Sequence, residues 1–343
     1  SNGNLYCKGG ISLVDLSLHG GVLAENLSSK DVHIKCSKKK LLLPLSNWKY
    51  GPFLSSIEGD INLKNKSKFN LNLRSSVYMD GVSNSELNVV AKLPFKLQKS
   101  DLRIGALLAD INLRPFPLSP IGRLFGSSMA GTIASKGQIK GPLTDLKAKL
   151  SIDVVNPQVN GIRLQEEWRG DFLAHLGKDA QLKMESIGAS VPGSLKANFN
   201  STMFLKDLSF KRLGGQILLK RSVDHFDWKA KDLRLDRVEV ALPPERSFKR
   251  IFGQLSGQGI FSTEPLDVSG QLQIRYPRLM GLRLKELTVK GKSTEDAFTV
   301  NAELLPPEKG LVSIDAEGSY DGAIKAKATV LGASANWIAD SAL

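Results

Sequence analysis

The feature that most constrains this 343-residue chain is a run that alternates without error. Leu146, Ala148, Leu150, Ile152 and Val154 point one way, and Lys147, Lys149, Ser151 and Asp153 point the other. Period two over this length specifies a β-strand with one apolar face and one wetted face. Gly-rich turns precede the run, and Asn156-Pro157 is read as its end. The unit spans Met129 to Leu164, and the same design returns from Leu255 to Leu284.

Comparable runs fill the rest of the chain. In residues 1–116, Phe69, Leu71 and Leu73 share a face, as do Leu87, Val89, Ala91, Leu93, Phe95 and Leu97. Pro94 falls on the opposite face, which marks an edge strand or a bulge. Ala109, Ile111 and Leu113 follow, and Trp48 to Pro52 reads as a turn-rich junction. Further along come Leu272 with Ile274, then Phe298, Val300 and Ala302, then Val312 and Ile314, and finally Ile324, Ala326, Ala328 and Val330. Leu205 to Leu213 fits a helix or a strand equally well.

Two stretches break the alternation. Ser119-Pro120 opens one, where Ile121, Leu124 and Phe125 fall at i, i+3 and i+4 before Gly126. This spacing, with a capping Ser and a Pro at the first helical position, predicts a short amphipathic helix over 119–125. Phe248, Ile251 and Phe252 repeat the spacing before Gly253 and predict a second helix over 245–252. Both are expected to plug or cap the sheet. The second stretch also begins a repeat. Arg123-Leu124-Phe125-Gly126 matches Arg250-Ile251-Phe252-Gly253, and Pro157-Gln158-Val159-Asn160-Gly161-Ile162-Arg163-Leu164 matches Pro277-Arg278-Leu279-Met280-Gly281-Leu282-Arg283-Leu284. A period of 120–127 residues implies a repeated supersecondary block rather than a solenoid of short units. The expected organisation is one elongated body over 1–343: a strand-rich block at 1–116 and helix-plus-strand repeats at 117–243 and 244–343.

Composition narrows the fold class. The chain is 41% hydrophobic but only 7% aromatic, with 31 Gly and 15 Pro, which suits many turns and aliphatic strands. One-sided strands at hairpin spacing form an antiparallel sheet. Two short helices cannot cover some twenty apolar strand faces, so the sheet must cover itself. There is neither the uniform rhythm of a barrel nor the spacing of separate sandwiches. The expected fold is therefore all-β: a long curled sheet with a greasy interior.

The formal charge of +13 is spread along the polar faces of strands, where Lys and Arg also deter edge-to-edge aggregation. The one tight run, Lys38-Lys39-Lys40, has no interleaved aromatics, so no nucleic-acid platform is expected. No stretch of 18 apolar residues is present, so no membrane-spanning helix is expected. Cys7 and Cys36 lie in no Cys-x-x-Cys pair, and a disulfide between them or two thiols remain equally open readings.

Catalytic motifs fail. There is no Gly-x-Ser-x-Gly or His-Glu-x-x-His, and Gly291-Lys292-Ser293 lacks the upstream glycine of a phosphate loop, Glu286 standing in its place. Asp224-His225-Phe226-Asp227 offers metal-type ligands but reads as a solvated turn. Trp48, Trp168, Trp228 and Trp337 lie far apart and are read as rim or end-packing residues. No catalytic residue, cofactor or metal is expected.

At this point the residues resemble a known family. Gly131-Thr132-Ile133, Gly137-Gln138-Ile139-Lys140-Gly141-Pro142-Leu143, the strand at 146–154 and Gly161-Ile162-Arg163-Leu164 are similar to the pattern of AsmA-like proteins, most closely the TamB group. The likeness is clearest over 117–343. It implies a U-shaped antiparallel "β-taco" held between two membranes, in a bacterial periplasm or a chloroplast intermembrane space. It further implies an inner-membrane anchor amino-terminal to this segment, and work alongside outer-membrane β-barrel assembly or import channel proteins through segments outside this chain. On that basis the aliphatic faces would conduct phospholipid acyl chains, without enzymatic activity. The alternative function is a scaffold or chaperone holding nascent barrel strands. An enzyme acting on polysaccharide ranks last, because clustered carboxylates on one face are lacking.

Overall fold

The computed structural model describes residues 7–20, 23–50, 53–62, 69–79, 87–98, 101–119, 128–188, 192–202, 204–236, 238–242, 247–263, 266–279, 282–334 and 337. Within these the chain is almost wholly strand. The first eight strands are β1 (Cys7–Gly20), β2 (Leu23–Lys38), β3 (Lys40–Tyr50), β4 (Phe53–Asn62), β5 (Phe69–Met79), β6 (Leu87–Gln98), β7 (Asp101–Ile104) and β8 (Leu107–Pro117). Next come β9 (Met129–Gly141), β10 (Lys147–Val159), β11 (Ile162–Leu164), β12 (Glu167–His175), β13 (Asp179–Ile187), β14 (Ser194–Phe199), β15 (Leu205–Arg212), β16 (Gly215–Arg221) and β17 (Phe226–Arg234). The last are β18 (Val238–Leu242), β19 (Ser247–Thr263), β20 (Leu266–Leu279), β21 (Leu282–Arg283), β22 (Glu286–Thr294), β23 (Ala297–Leu305), β24 (Leu311–Ser319) and β25 (Ile324–Leu331).

All 25 strands belong to one sheet. Every pairing is antiparallel and, for the most part, each strand pairs with the next in sequence, so the sheet is a long meander. The ambiguous segment from Leu205 is strand β15. Trp48 to Tyr50, expected in a turn, completes β3 in register with β4. Pro94 falls where β6 exchanges one partner for another: β8 pairs as far as Lys92 and β7 begins at Phe95. Its missing N–H therefore costs no ladder bond.

Three short strands share one scheme. A long strand turns back on itself for two to four residues (β7, β11, β21), and the following strand then pairs along the remainder of its length. In β10 and β20 the long strand is also kinked. Asn156-Pro157 does not end β10, as the sequence suggested; the strand passes through them to Val159 with a bulge against β9. Asn156 has φ 51° and Tyr276, 120 positions on, has φ 52°. Each faces a glycine in the left-handed region, Gly131 (φ 103°) and Gly253 (φ 130°). A side chain at Gly131 would meet the Asn156 carbonyl at 2.4 Å, and one at Gly253 would meet Ile274 Cγ2 at 2.8 Å, so the kink demands glycine at both sites.

The second predicted helix does not form. Ser247–Thr263 is one continuous strand, paired with β18 at its start and with β17 and β20 beyond. An isolated helix of some eight residues is marginal in water, whereas this segment, rich in Phe and Ile, finds strand partners on both sides. The i, i+3, i+4 spacing arises here because both faces of the strand carry apolar residues, Phe248 and Phe252 on one and Ile251, in the buried cluster, on the other. Of the first predicted helix, Ser119 is helical; Ile121, Leu124 and Phe125 lie outside the described residues.

From β10 to β19 the backbone pairing takes two routes. The long one passes through β12, β13, β14, β15, β16 and β17. The short one passes through β11 and β18 alone. Together they make a closed circuit of ten strands. Apolar residues of both routes meet inside it: Leu233, Leu235 and Val238 are buried among Leu164, Phe210, Ile217, Ile251, Leu255 and Ile274. Beside them lies a buried ion pair. Arg212 donates to Glu166 Oε1 from Nε at 3.0 Å and from a terminal nitrogen at 2.5 Å, with both side chains 3% exposed. Arg212 also donates to the backbone carbonyls of Arg234 and Asp236, which ties β15 to the β17–β18 link.

Outside this circuit there is little sealed core among the described residues. A compact globule of this mass exposes about 14,000 Å², whereas the chain exposes 21,775 Å². Cys36 is disulfide-bonded, and Cys7 is the one other cysteine in the sequence.

Candidate functional site: a continuous apolar sheet face

Register carries the apolar side chains into rows that cross the sheet. One ladder runs Val89, Ile111, Gly137, Leu150, Phe172, Leu182, Ala197, Leu208, Leu219, Trp228, Gly259, Gly270, Gly291, Val300, Ala316 and Ala326, each directly opposite the next, across sixteen strands. No polar or charged side chain interrupts it. A neighbouring row joins Leu73, Ala91, Ala109, Ile139, Ala148, Ala174, Ala180 and Phe199. Alternation within each strand then places the opposite face in water.

By alternation, the residues named from the sequence fall at backbone positions on the same face as these rows, some within them and most beside them. Leu71 and Leu73 lie opposite Leu93 and Ala91; Leu87 and Val89 lie opposite Leu113 and Ile111. Phe69 holds the equivalent backbone position opposite Phe95. Ala148, Leu150, Ile152 and Val154 follow on β10, while Leu146 sits one residue before that strand. Leu272 and Ile274 lie opposite Val289 and Leu287, Phe298 opposite Gly318, and Ala302 opposite Ile314. Val312 meets Val330, Ile314 meets Ala328, and Gly318 meets Ile324. Most of these side chains are half-buried. The last strand differs: β25 is exposed along its whole length, Ile324 at 65% and Val330 at 49%.

The second of the two predicted helix plugs is corrected. Phe248 and Ile251 are strand residues: Phe248 stacks beneath the Arg163 guanidinium at 4.2 Å and Ile251 joins the buried cluster. Phe252 is 39% exposed. Trp228 is part of the ladder rather than the rim, and its indole lies where Cβ atoms on Gly259 and Gly270 would come within 2.8 and 2.6 Å. Trp168 is 4% exposed and packs on Phe210 with ring centroids 5.6 Å apart. The signal for Trp228 was present in its alternation with Asp227 and Lys229, but the partner glycines stand more than thirty residues away.

The opposite face is polar and carries the recesses. One, of about 830 Å³, is walled by Lys136, Lys140, Lys147, Lys149 and Lys206 with Asp171, Asp179 and Asp207. A second, of about 680 Å³, brings together Arg234, Arg250, Arg275, Arg278 and Arg283 with one carboxylate, Asp236. At the edge of the first, Lys178 and His175 hydrogen-bond Asp145 and hold its carboxyl down at about 2. In the Asp224–Asp227 turn, His225 hydrogen-bonds Asp224 at 2.7 Å and stands 3.5 Å from Asp227; these carboxylates raise its pKa, the Asp224 hydrogen bond most. Among the described residues no group of three His, Cys, Asp or Glu side chains could hold a metal, and no helix is long and apolar enough to cross a membrane.

Fold and site together define a class: a single-sheet antiparallel protein whose apolar face carries a sixteen-strand row with no polar side chain in it. Compared with known proteins, the chain matches no family model, no curated protein and no solved structure. The likeness to AsmA-like proteins rests on the motifs quoted for it.

Proposed function

We propose that the chain is a non-enzymatic conduit for phospholipid acyl chains, its sheet curled into a U around the apolar face. The observation that supports it is the sixteen-strand ladder, which presents only aliphatic, aromatic and glycine positions to whatever lies against it. Each CH₂ moved from water into such a surface is worth about 0.8 kcal/mol, close to its value in a bilayer. Transfer between membrane and sheet is then nearly balanced, and an acyl chain slides from one strand to the next without meeting a charge. The polar face keeps lysines and arginines in water. On the resemblance, the proposed conduit would stand between two membranes, in a periplasm or a chloroplast intermembrane space, with its outer end at a β-barrel assembly or import channel.

The test is mass spectrometry of lipids that copurify with the chain. Leu150→Glu and Val300→Glu, half-buried ladder positions, should each lower bound phospholipid at least fivefold, while Leu218→Glu on the exposed opposite face should not. Equal loading of all three variants overturns the reading. A photocrosslinker at position 150 separates the scaffold alternative, because adducts with protein rather than lipid would favour it.

A further inference from the structure

Charge is not spread evenly over the polar face. Lys136, Gln138 and Lys140 of β9 lie on it beside Lys147, Lys149 and Ser151 of β10. Register sets Lys140 opposite Lys147, Gln138 opposite Lys149 and Lys136 opposite Ser151. Directly opposed side chains start about 5 Å apart and diagonal ones about 7–8 Å apart, so Lys147, Lys140, Lys149 and Lys136 form a zigzag of close cations. On one flank, Leu108, Asp110 and Asn112 of β8 face Lys140, Gln138 and Lys136. On the other, His175, Leu173 and Asp171 of β12 face Lys147, Lys149 and Ser151. None of the four lysines thus has a carboxylate directly opposite it on either neighbouring strand. A like pair such as Lys140 and Lys147 works against the ladder that holds it.

The nearby carboxylates are engaged elsewhere. Asp110 accepts from Gln138 Nε2 at 2.8 Å. Asp145 accepts from Lys178 Nζ at 2.8 Å and bonds His175. Asp207 accepts from Asn198 Nδ2 at 2.6 Å. Asp171 stands opposite Lys183, and Asp179 opposite His175. Lys136, Lys140, Lys147, Lys149 and Lys206 remain around the recess of about 830 Å³, none of them in an ion pair among the described residues. Leu173 also lines the recess and is 43% exposed, which sets apolar surface directly beside the cations.

We propose that this recess binds a phosphate or diphosphate group whose carbon skeleton rests on Leu173. A lysine ammonium is a compact point charge with three donors and no planar fork. It suits the several oxygens of a tetrahedral oxyanion better than the paired oxygens of one carboxylate. A dianion between Lys140, Lys147 and Lys149 converts their mutual repulsion into attraction, and Lys136 and Lys206 stand on either side for a second phosphate. A lipid head group and a soluble phosphate ester share this chemistry. The recess opens on the face away from the apolar rows, so the inference does not depend on what those rows carry.

The probes are inorganic pyrophosphate and dihexanoyl phosphatidic acid below its micellar concentration, each titrated into the 343-residue chain by calorimetry. At least one should bind saturably, and Lys140→Gln combined with Lys147→Gln should weaken it at least tenfold. The control is Lys183→Gln combined with Lys196→Gln, a second directly opposed lysine pair on the same face but outside the recess. It should change binding less than twofold. All four positions are exposed, and circular dichroism verifies that both double variants fold. The bound probe should raise the Tm of the native chain and of the control, but not of the Lys140/Lys147 variant. Phosphatidic acid binding at least threefold more tightly than pyrophosphate, with the gain lost in Leu173→Gln, identifies a lipid as the source; pyrophosphate binding as tightly or more so identifies a soluble ester. Saturable binding of neither probe, or equal weakening by the two double variants, would overturn the proposal.

Discussion

Residues 157–166 and 277–286 read almost alike, Pro, Gly, Arg, Leu and Glu coinciding, yet they end in different surroundings. Glu166 is buried against Arg212. Glu286, at the matching position, opens a strand and is half-exposed, with Thr288 Oγ1 3.5 Å from its Oε1. Arg163 lies on Glu239, while Arg283 lies among other arginines. The local motif therefore dictates the kinked strand and its short return in both copies. In the first copy the unit is closed by β18, which begins 74 residues downstream of Leu164.

The comparison can be broken at its most buried point. Removing Arg212 with Arg212→Met strands the Glu166 carboxylate in the circuit and should cost about 3–5 kcal/mol in urea unfolding. Adding Glu166→Leu should restore most of this. The same Glu→Leu change at Glu286 should stay within about 0.5 kcal/mol; a larger loss there would mean that the copies are equally closed. Next in size, Gly131→Ala and Gly253→Ala should each cost about 1–3 kcal/mol, since both need a left-handed backbone and have no room for Cβ. Unequal losses would show that the kink matters in one copy only.

Acid separates the copies more gently. Burial pushes the Glu239 carboxyl up, but the Arg163 and Gln165 hydrogen bonds and the charges of Arg163 and Arg250 outweigh it, so its pKa stands below the ordinary value. Its contribution is then fully present above the ordinary carboxylate range and is lost as pH falls through the lowered value. Hydrogen exchange corrected for intrinsic rate should accelerate at 238–240 as pH falls from 7 toward 3, and change less at 282–283. The smallest effect is expected from the exposed turn. His225 has a raised pKa, so its pairing with Asp224 is present below its ordinary value and lost as pH rises through the raised one. His225→Ala should leave Tm unchanged at pH 8 and lower it slightly at pH 6.

Most strands were legible because alternation is a local signal: Leu146 to Val154 announces its own two faces. The single antiparallel sheet followed from the shortage of anything else to cover those faces. What escaped was non-local. Nothing within 245–252 reveals that Val238–Leu242 will pair with it, so i, i+3, i+4 spacing was read as helix. The Arg163–Glu239 and Arg212–Glu166 pairs join residues 76 and 46 positions apart, and no periodicity encodes them. The candidate site was legible in its wall residues on β10 and β20, less so on β12 to β17, where Phe172, Leu182, Ala197, Leu208 and Leu219 continue the same row.

The two routes between β10 and β19 have a geometric consequence. With strands about 4.8 Å apart, the way through β12 to β17 crosses seven spacings, about 34 Å, whereas the way through β11 and β18 crosses three, about 14 Å. A surface with more material along one side than the other cannot lie flat, any more than cloth gathered into a dart. The surplus must swell outward, and the fixed count of strands stores that curvature in the topology itself. Straightening the sheet here would require breaking ladders rather than bending them.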